Sequence, residues 1–183
     1  MNPKSKAKLK LIFSVVFISI IGSLILLSYF KISENQAAKE KIKSLPEFEL
    51  TDIKSDYPIN LNNVLSGRPT LLVFFHSHCD YCAHELTALN DARHRLIETN
   101  VVFFSPEHPD TLRRFMAEFN FDECENIFVG RANQRELFDW FGEMVPPTSF
   151  VYDEKMHLVE KFKGLRKIDV ILEALEKGRK VNE

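Results

Sequence analysis

Apolar and polar positions fall along the chain in blocks of three kinds: one long unbroken apolar run, several short ones, and segments with helical spacing. Leu11 to Phe30 is a run of twenty residues without a charge, its polar members being Ser14, Ser19, Ser23, Ser28 and the phenol of Tyr29. At about 1.5 Å per residue a helix of that length spans about 30 Å, the thickness of a bilayer's hydrocarbon core. The run therefore predicts a transmembrane anchor over 11–30. A buried core helix is rarely so long. A cleavable signal has a shorter apolar stretch, about 7–15 residues, and ends in small residues. Here the run passes through bulky Leu, Tyr and Phe, and Gln36-Ala37-Ala38 is poorly placed for cleavage. An uncleaved anchor is the better reading.

Beyond a polar, Lys- and Glu-rich spacer over 31–44, the pattern changes to that of a folded domain over 45–183. Leu71-Leu72-Val73-Phe74-Phe75 is continuously apolar, as expected of a strand buried on both faces. Leu86, Leu89, Ala92 and Leu96 recur at helical spacing, and Val101-Val102-Phe103-Phe104 is a second buried strand. A β-α-β unit of this kind implies a parallel pair with a right-handed crossover. Leu112, Phe115, Met116 and Phe119 predict another helix, and Ile127-Phe128-Val129 a short strand. A brief helix is expected from Gln134 to Phe141, with Gly142 placed to end it. Ser149–Tyr152 and Leu158–Phe162 read as strands joined by a turn at Asp153-Glu154-Lys155, and Ile168 to Lys177 as a last helix. The expected class is α/β, with helices flanking a central mixed sheet.

Charge orients this arrangement. Residues 1–10 carry Lys4, Lys6, Lys8 and Lys10 and no acid. Basic residues beside an anchor stay inside, so residues 1–10 are expected in the cytoplasm and the domain outside it, in the periplasm where there is an outer membrane. Of the 24 Lys and Arg, 20 remain for residues 11–183, against all 26 acids. A net-acidic body argues against nucleic acid as a partner, since phosphate binding needs clustered cations. The sixteen Phe supply ample core. Cys79, Cys82 and Cys124 are too few for a disulfide-stapled scaffold.

Cys79 and Cys82 carry the candidate chemistry. They follow a buried strand and open a helix. The free amides at a helix N-terminus favour a thiolate, the reactive form in thiol–disulfide exchange. Two intervening residues bring both sulfurs onto one turn, where they can close a disulfide. Cys79, at the exposed end, is then the attacking thiol and Cys82 the resolving one. Glu85 shares the helix face with Cys82, and burial would raise it toward a useful proton acceptor. The alternative for Glu85 is a solvated helix acid. His76, His78 and His84 surround the pair and keep a zinc or copper reading open, although a closed site usually draws on two separated segments. Pro146-Pro147-Thr148 precedes the Ser149 strand. If that strand runs antiparallel to Leu71–Phe75, the prolines face Cys79, and an X-Pro bond there can be cis. Cys124 reads as an unpaired thiol, with an intermolecular disulfide as the alternative.

In this order the features resemble the thioredoxin superfamily, and within it the membrane-tethered TlpA/ResA-like oxidoreductases. The likeness runs over about 45–178. It includes Leu45-Pro46-Glu47-Phe48-Glu49-Leu50-Thr51-Asp52 as the opening segment, Leu71 to Cys82 as the strand and CxxC, Glu85 as the acid after the second cysteine, Pro147-Thr148 as the cis-proline motif, and Gly164 after the last strand. His78 departs from a common Trp, Asp80-Tyr81 contain no proline, and Val73 stands where cytosolic thioredoxins bury an acid. The resemblance implies a thioredoxin-like fold and a thiol–disulfide oxidoreductase without cofactor or metal. Cys79 and Cys82 would be catalytic, with Glu85 and Pro147 in support. The implied partners are an exported disulfide-containing protein, in cytochrome c maturation or thiol repair, and an upstream membrane dithiol donor. Disulfide formation, a peroxiredoxin-like peroxidase and a copper chaperone of related fold, with His157 as a distant ligand, are the competing readings.

Overall fold

The computed structural model describes residues 16, 17, 19–29, 39–61, 65, 67–119, 121 and 124–180. The chain divides into two units, residues 1–40 and Lys41–Glu183. In the first, residues 19–29 are helical. Among the described residues no helix is long and apolar enough to cross a membrane. Residues 11–15, 18 and 30 of the expected anchor lie outside the described residues, as do residues 1–10 and 31–38 of its flanks.

The second unit is built on one seven-stranded mixed sheet. Its strands are β1 (Glu49–Asp52), β2 (Pro58–Asn60), β3 (Thr70–Phe74), β4 (Asn100–Ser105), β5 (Ile127–Ala132), β6 (Thr148–Tyr152) and β7 (Leu158–Lys163), in the spatial order β2-β1-β5-β4-β3-β6-β7. The helices are α1 (Asp80–Asp91), α2 (Pro109–Met116), α3 (Gln134–Phe141) and α4 (Ile168–Lys180). β3, β4 and β5 run parallel, while β6, β7, β1 and β2 add antiparallel edges.

The continuous apolar runs are explained by two core layers. Side chains alternate across a strand, so Leu71, Val73, Val101, Phe103 and Val151 meet α1, α2 and α4 on one face. Leu72, Phe74, Val102, Phe104, Phe150 and Tyr152 meet α3 and the Ile42–Leu50 segment on the other. Phenylalanines fill both layers. Phe104 lies 5.5 Å from Phe48 and 5.7 Å from both Phe74 and Phe141, ring to ring, and is fully buried. Phe104→Ala is therefore expected to cost about 3–5 kcal/mol, read as a lowered urea midpoint with an unchanged slope.

Local signals place the ends of elements. Asn133 caps α3, its Oδ1 accepting from the amides of Arg135 and Glu136, and Gly142 ends it at a φ of 68°. Pro109 opens α2 behind His108. Two expected helices are shorter than their periodicity. α1 stops at Asp91, and a 3-10 turn over Arg93–Arg95 leads to Leu96; α2 stops at Met116, followed by a 3-10 turn over Ala117–Phe119. Burial of Leu96 and Phe119 preserves the apolar spacing across the change of helix type. At Gly130 the chain approaches β1 so closely that a Cβ would sit 3.0 Å from Leu50 Cβ and 3.2 Å from the Thr51 carbonyl oxygen.

Candidate functional site

The site forms where the C-terminal end of β3 hands the chain to α1. A turn, closed by the Cys79 amide donating to the His76 carbonyl at 3.2 Å, brings Cys79 to the N-cap of α1. Its backbone is extended, with φ −105° and ψ 107°, so Cys79 stands just outside the helix. Its Sγ accepts the Cys82 N–H at 3.3 Å, and its carbonyl accepts the amides of Cys82 and Ala83. The Cys79 sulfur thus takes the place of a capping oxygen at the positive end of the helix. Cys79 is half-buried, whereas Cys82, one turn along, is fully buried. All three cysteines are free thiols.

The two thiols have different surroundings. Burial pushes the Cys82 thiol far above its ordinary value, with the neighbouring Cys79 sulfur and Glu85 adding to the shift against a backbone hydrogen bond at His76. A proton acceptor is needed before Cys82 can act as a nucleophile. Glu85 lies one turn further along and is only 1% exposed. Ser149 Oγ donates to its Oε1 at 2.5 Å, and the Arg166 amide donates to its Oε2 at 3.3 Å. Burial raises the Glu85 carboxyl above the usual range, and the bonds from Ser149 and Arg166 oppose that rise. The solvated-acid alternative for Glu85 does not fit this burial.

Ser149 and the Arg166 amide are missing from the sequence reading. Ser149 lies opposite Val73 in the β3–β6 register, on the same strand face as Val151. The polar network beneath the cysteines thus comes from the strand beside Val73. Its signal was a hydroxyl in an apolar strand, two residues before a side chain that packs toward α1.

The antiparallel β3–β6 pairing sets Thr148 opposite Phe74 and brings the preceding prolines to Cys79. The Pro146–Pro147 bond is cis. The Pro146 carbonyl lies 3.7 Å from Cys79 Sγ, accepting its S–H, so the residue before Pro147 makes the contact. The Pro147 carbonyl accepts the Gly164 amide at 2.8 Å, which ties this loop to the end of β7. Tyr81 and Val145, close in sequence to Cys79 and Pro146, are 65% and 63% exposed.

A second acid, absent from the sequence reading, holds the turn before Cys79. Glu107, between β4 and α2, accepts the Ser77 amide at 2.7 Å on Oε2 and the Ser77 hydroxyl at 2.8 Å on Oε1. His78 and His76 direct Nδ1 toward its Oε1 at 3.6 and 4.0 Å. Burial pushes Glu107 up, but the two Ser77 donors, with His76 and Ser105, outweigh it and hold the carboxyl below its usual range. His84 is exposed on α1. His157 faces Asp153 at 3.4 Å in the β6–β7 turn. Among the described residues no three His, Cys, Asp or Glu side chains gather as a metal-binding group. Cys124 is half-buried against the first core layer.

Comparison with known proteins agrees with this architecture. The model of the AhpC/TSA family matches residues 43–167. No curated protein sequence gives a significant match. Among solved structures, a secreted Mycobacterium tuberculosis disulfide oxidoreductase homologous to Escherichia coli DsbE is 14% identical, with a TM-score of 0.61, covering 75% of this chain and 98% of its own. A thioredoxin-family thiol:disulfide interchange protein of Chlorobium tepidum is 18% identical, with a TM-score of 0.62, covering 74% and 95%. An exposed lipoprotein thioredoxin of Streptococcus pneumoniae is 20% identical, with a TM-score of 0.56, covering 72% and 98%. At these identities the likeness is one of fold.

Proposed function

The chain belongs to the AhpC/TSA family and has the thioredoxin-like fold, and from that premise we propose that it is a TlpA/ResA-like thiol–disulfide oxidoreductase that reduces disulfides in exported proteins. The observation that carries this reading is the unequal pair of thiols. Cys79 Sγ is held half-exposed between the Cys82 amide and the Pro146 carbonyl, while Cys82 is buried beside Glu85.

In the proposed cycle the Cys79 thiolate attacks one sulfur of a substrate disulfide. The substrate S–S bond breaks, one substrate thiolate leaves, and a mixed disulfide joins Cys79 to the other sulfur. Glu85 takes the proton from Cys82. The Cys82 sulfur then attacks Cys79 Sγ, releases the second substrate thiol and closes the Cys79–Cys82 disulfide. Two electrons have passed to the substrate, and an upstream membrane dithiol donor restores the pair. Pro147 shapes the groove over Cys79. The anchor over 11–30 would hold the domain outside the cytoplasm, where substrates such as those of cytochrome c maturation meet it.

A peroxidase shares this fold, but its chemistry normally uses a single cysteine preceded by Thr, whereas Ser77-His78 here precede a paired one. The deciding experiment is a Cys82→Ser trap in the full chain. Without its resolving thiol, the mixed disulfide on Cys79 is expected to persist, and its partner to be released by reductant and identified by mass. Rapid consumption of hydrogen peroxide by the wild type, with no partner trapped, would favour the peroxidase.

A further inference from the structure

We propose that Glu107 is a positioning residue for the nucleophile: through Ser77 it fixes the turn that delivers Cys79 to the N-terminus of α1. This inference rests on the reading of Cys79 as the attacking thiol. Glu107 comes from the β4–α2 connection, a segment separate from the turn it holds. Its two oxygens engage both donors of one residue, the Ser77 amide at 2.7 Å and the Ser77 hydroxyl at 2.8 Å. Ser105 Oγ donates to Oε2 at 3.3 Å, bracing the carboxylate from β4. The Glu107 side chain is only 17% exposed, and the donors around it keep it ionised, so its bonds to Ser77 are charge-assisted and strong.

The Ser77 hydroxyl also lies 2.9 Å from His78 Nδ1, a contact within the turn itself, whereas Glu107 holds the turn from another segment. Ser77 is partly open to water, so neither its amide nor its hydroxyl needs a buried acid for satisfaction. The arrangement gains something else, which is a fixed orientation. Cys79 Sγ must meet the Cys82 amide and the Pro146 carbonyl at once, at 3.3 and 3.7 Å. Its own amide is tied to His76, the residue before Ser77. A tilt of the turn about Ser77 therefore moves the sulfur away from both partners. Displacements of about 1 Å at a reacting atom are enough to cost on the order of 100-fold in rate.

The test follows the reaction of the reduced full-length protein with bis(2-hydroxyethyl) disulfide, a neutral probe whose approach is not steered by the charge of Glu107. Stopped-flow rates are taken far below the unfolding midpoint, so that only folded protein is read. Glu107→Ala is expected to slow the reaction about tenfold, a fraction of the loss a 1 Å displacement can cause. Glu107→Gln, whose amide can still accept from one Ser77 donor, is expected to recover most of the rate. Ser77→Ala should lose several-fold, and the double variant no more than Glu107→Ala alone, because both act through one contact. A purely structural role predicts additive losses of stability and no rescue of rate by Gln. If Glu107→Ala fails to fold, Ser77→Ala carries the test. Rates within twofold of wild type in both variants overturn the proposal, as does a Gln variant as slow as Ala. The outcomes separate the two readings: a wild type that reacts normally with the probe, together with a Cys82→Ser variant that traps no partner, fails the oxidoreductase reading alone, whereas a wild type inert to the probe fails both.

Discussion

Cys79→Ser lowers turnover of a protein disulfide to the uncatalysed background, a loss on the order of a thousandfold or more, as when a nucleophile is taken from residues acting as a unit. The expectation is sharp because the substitution changes the chemistry and little else. Cys79 occupies the N-cap of α1, with extended backbone and a side chain that accepts the Cys82 amide. Serine is among the residues most favoured at that position. The variant should keep its fold and its unfolding midpoint, so inactivity cannot be blamed on collapse of the domain. Free thiol released from a disulfide substrate measures turnover; circular dichroism and a urea titration measure the fold. Activity within tenfold of wild type would remove Cys79 from the mechanism.

Glu85→Gln is expected to slow the resolving step by about 100-fold at neutral pH, within the usual range for loss of a positioned proton acceptor. Cys82 is held protonated by burial, and Glu85 lies one turn along the same helix. The substitution keeps size and an acceptor for Ser149, but sets an NH2 where Oε2 accepts the Arg166 amide and removes the ability to take a proton. Persistence of the mixed disulfide at Cys79 reads the step directly. Relative to wild type, the same variant should gain stability as pH rises from about 4 to about 8, with a sign that follows from the raised carboxyl. Between its unfolded and folded pKa values, the folded protein holds a proton that the unfolded chain has lost. Stability therefore falls as pH rises through that window, and the penalty is complete above the folded value. Gln bears no such penalty. The stability difference between Glu85→Gln and wild type should accordingly shift in favour of the variant between about pH 4, near the ordinary carboxyl range, and about pH 8. Unfolding midpoints at the two pH values check this. Equal exchange rates would reduce Glu85 to a buried acid without a part in resolution.

What could be read from the sequence divides along physical lines. The parallel core strands were legible because both faces of β3 and β4 are buried, which leaves an apolar run with no alternation. The antiparallel placement of β6 was legible as a condition: the prolines face Cys79 if the Ser149 strand runs antiparallel to Leu71–Phe75, which it does, and the contact is made by the Pro146 carbonyl. β1 and β2 gave no strand signal of their own. They are four and three residues long, and polar residues such as Glu49, Asp52 and Asn60 alternate with single apolar ones. Glu107 lies thirty residues beyond Ser77 and meets it only because β3 and β4 pair side by side. Ser149 is sixty-four residues from Glu85. The Arg166 contribution comes from a backbone amide, which no side-chain pattern reports. His76, His78 and His84 looked from their spacing like a ring about the thiols. In the structure the first two turn toward Glu107, and His84 faces solvent.

The central claim is that Cys79 and Cys82 form one reversible two-electron couple. The most direct measurement equilibrates the full chain in glutathione buffers of graded potential, blocks remaining thiols with an alkylating reagent and maps the adducts by mass. The account predicts that Cys79 and Cys82 lose their adducts together along a single two-electron transition, independent of Cys124. Separate transitions for the two cysteines, or a pair that stays reduced across the whole range, would contradict it.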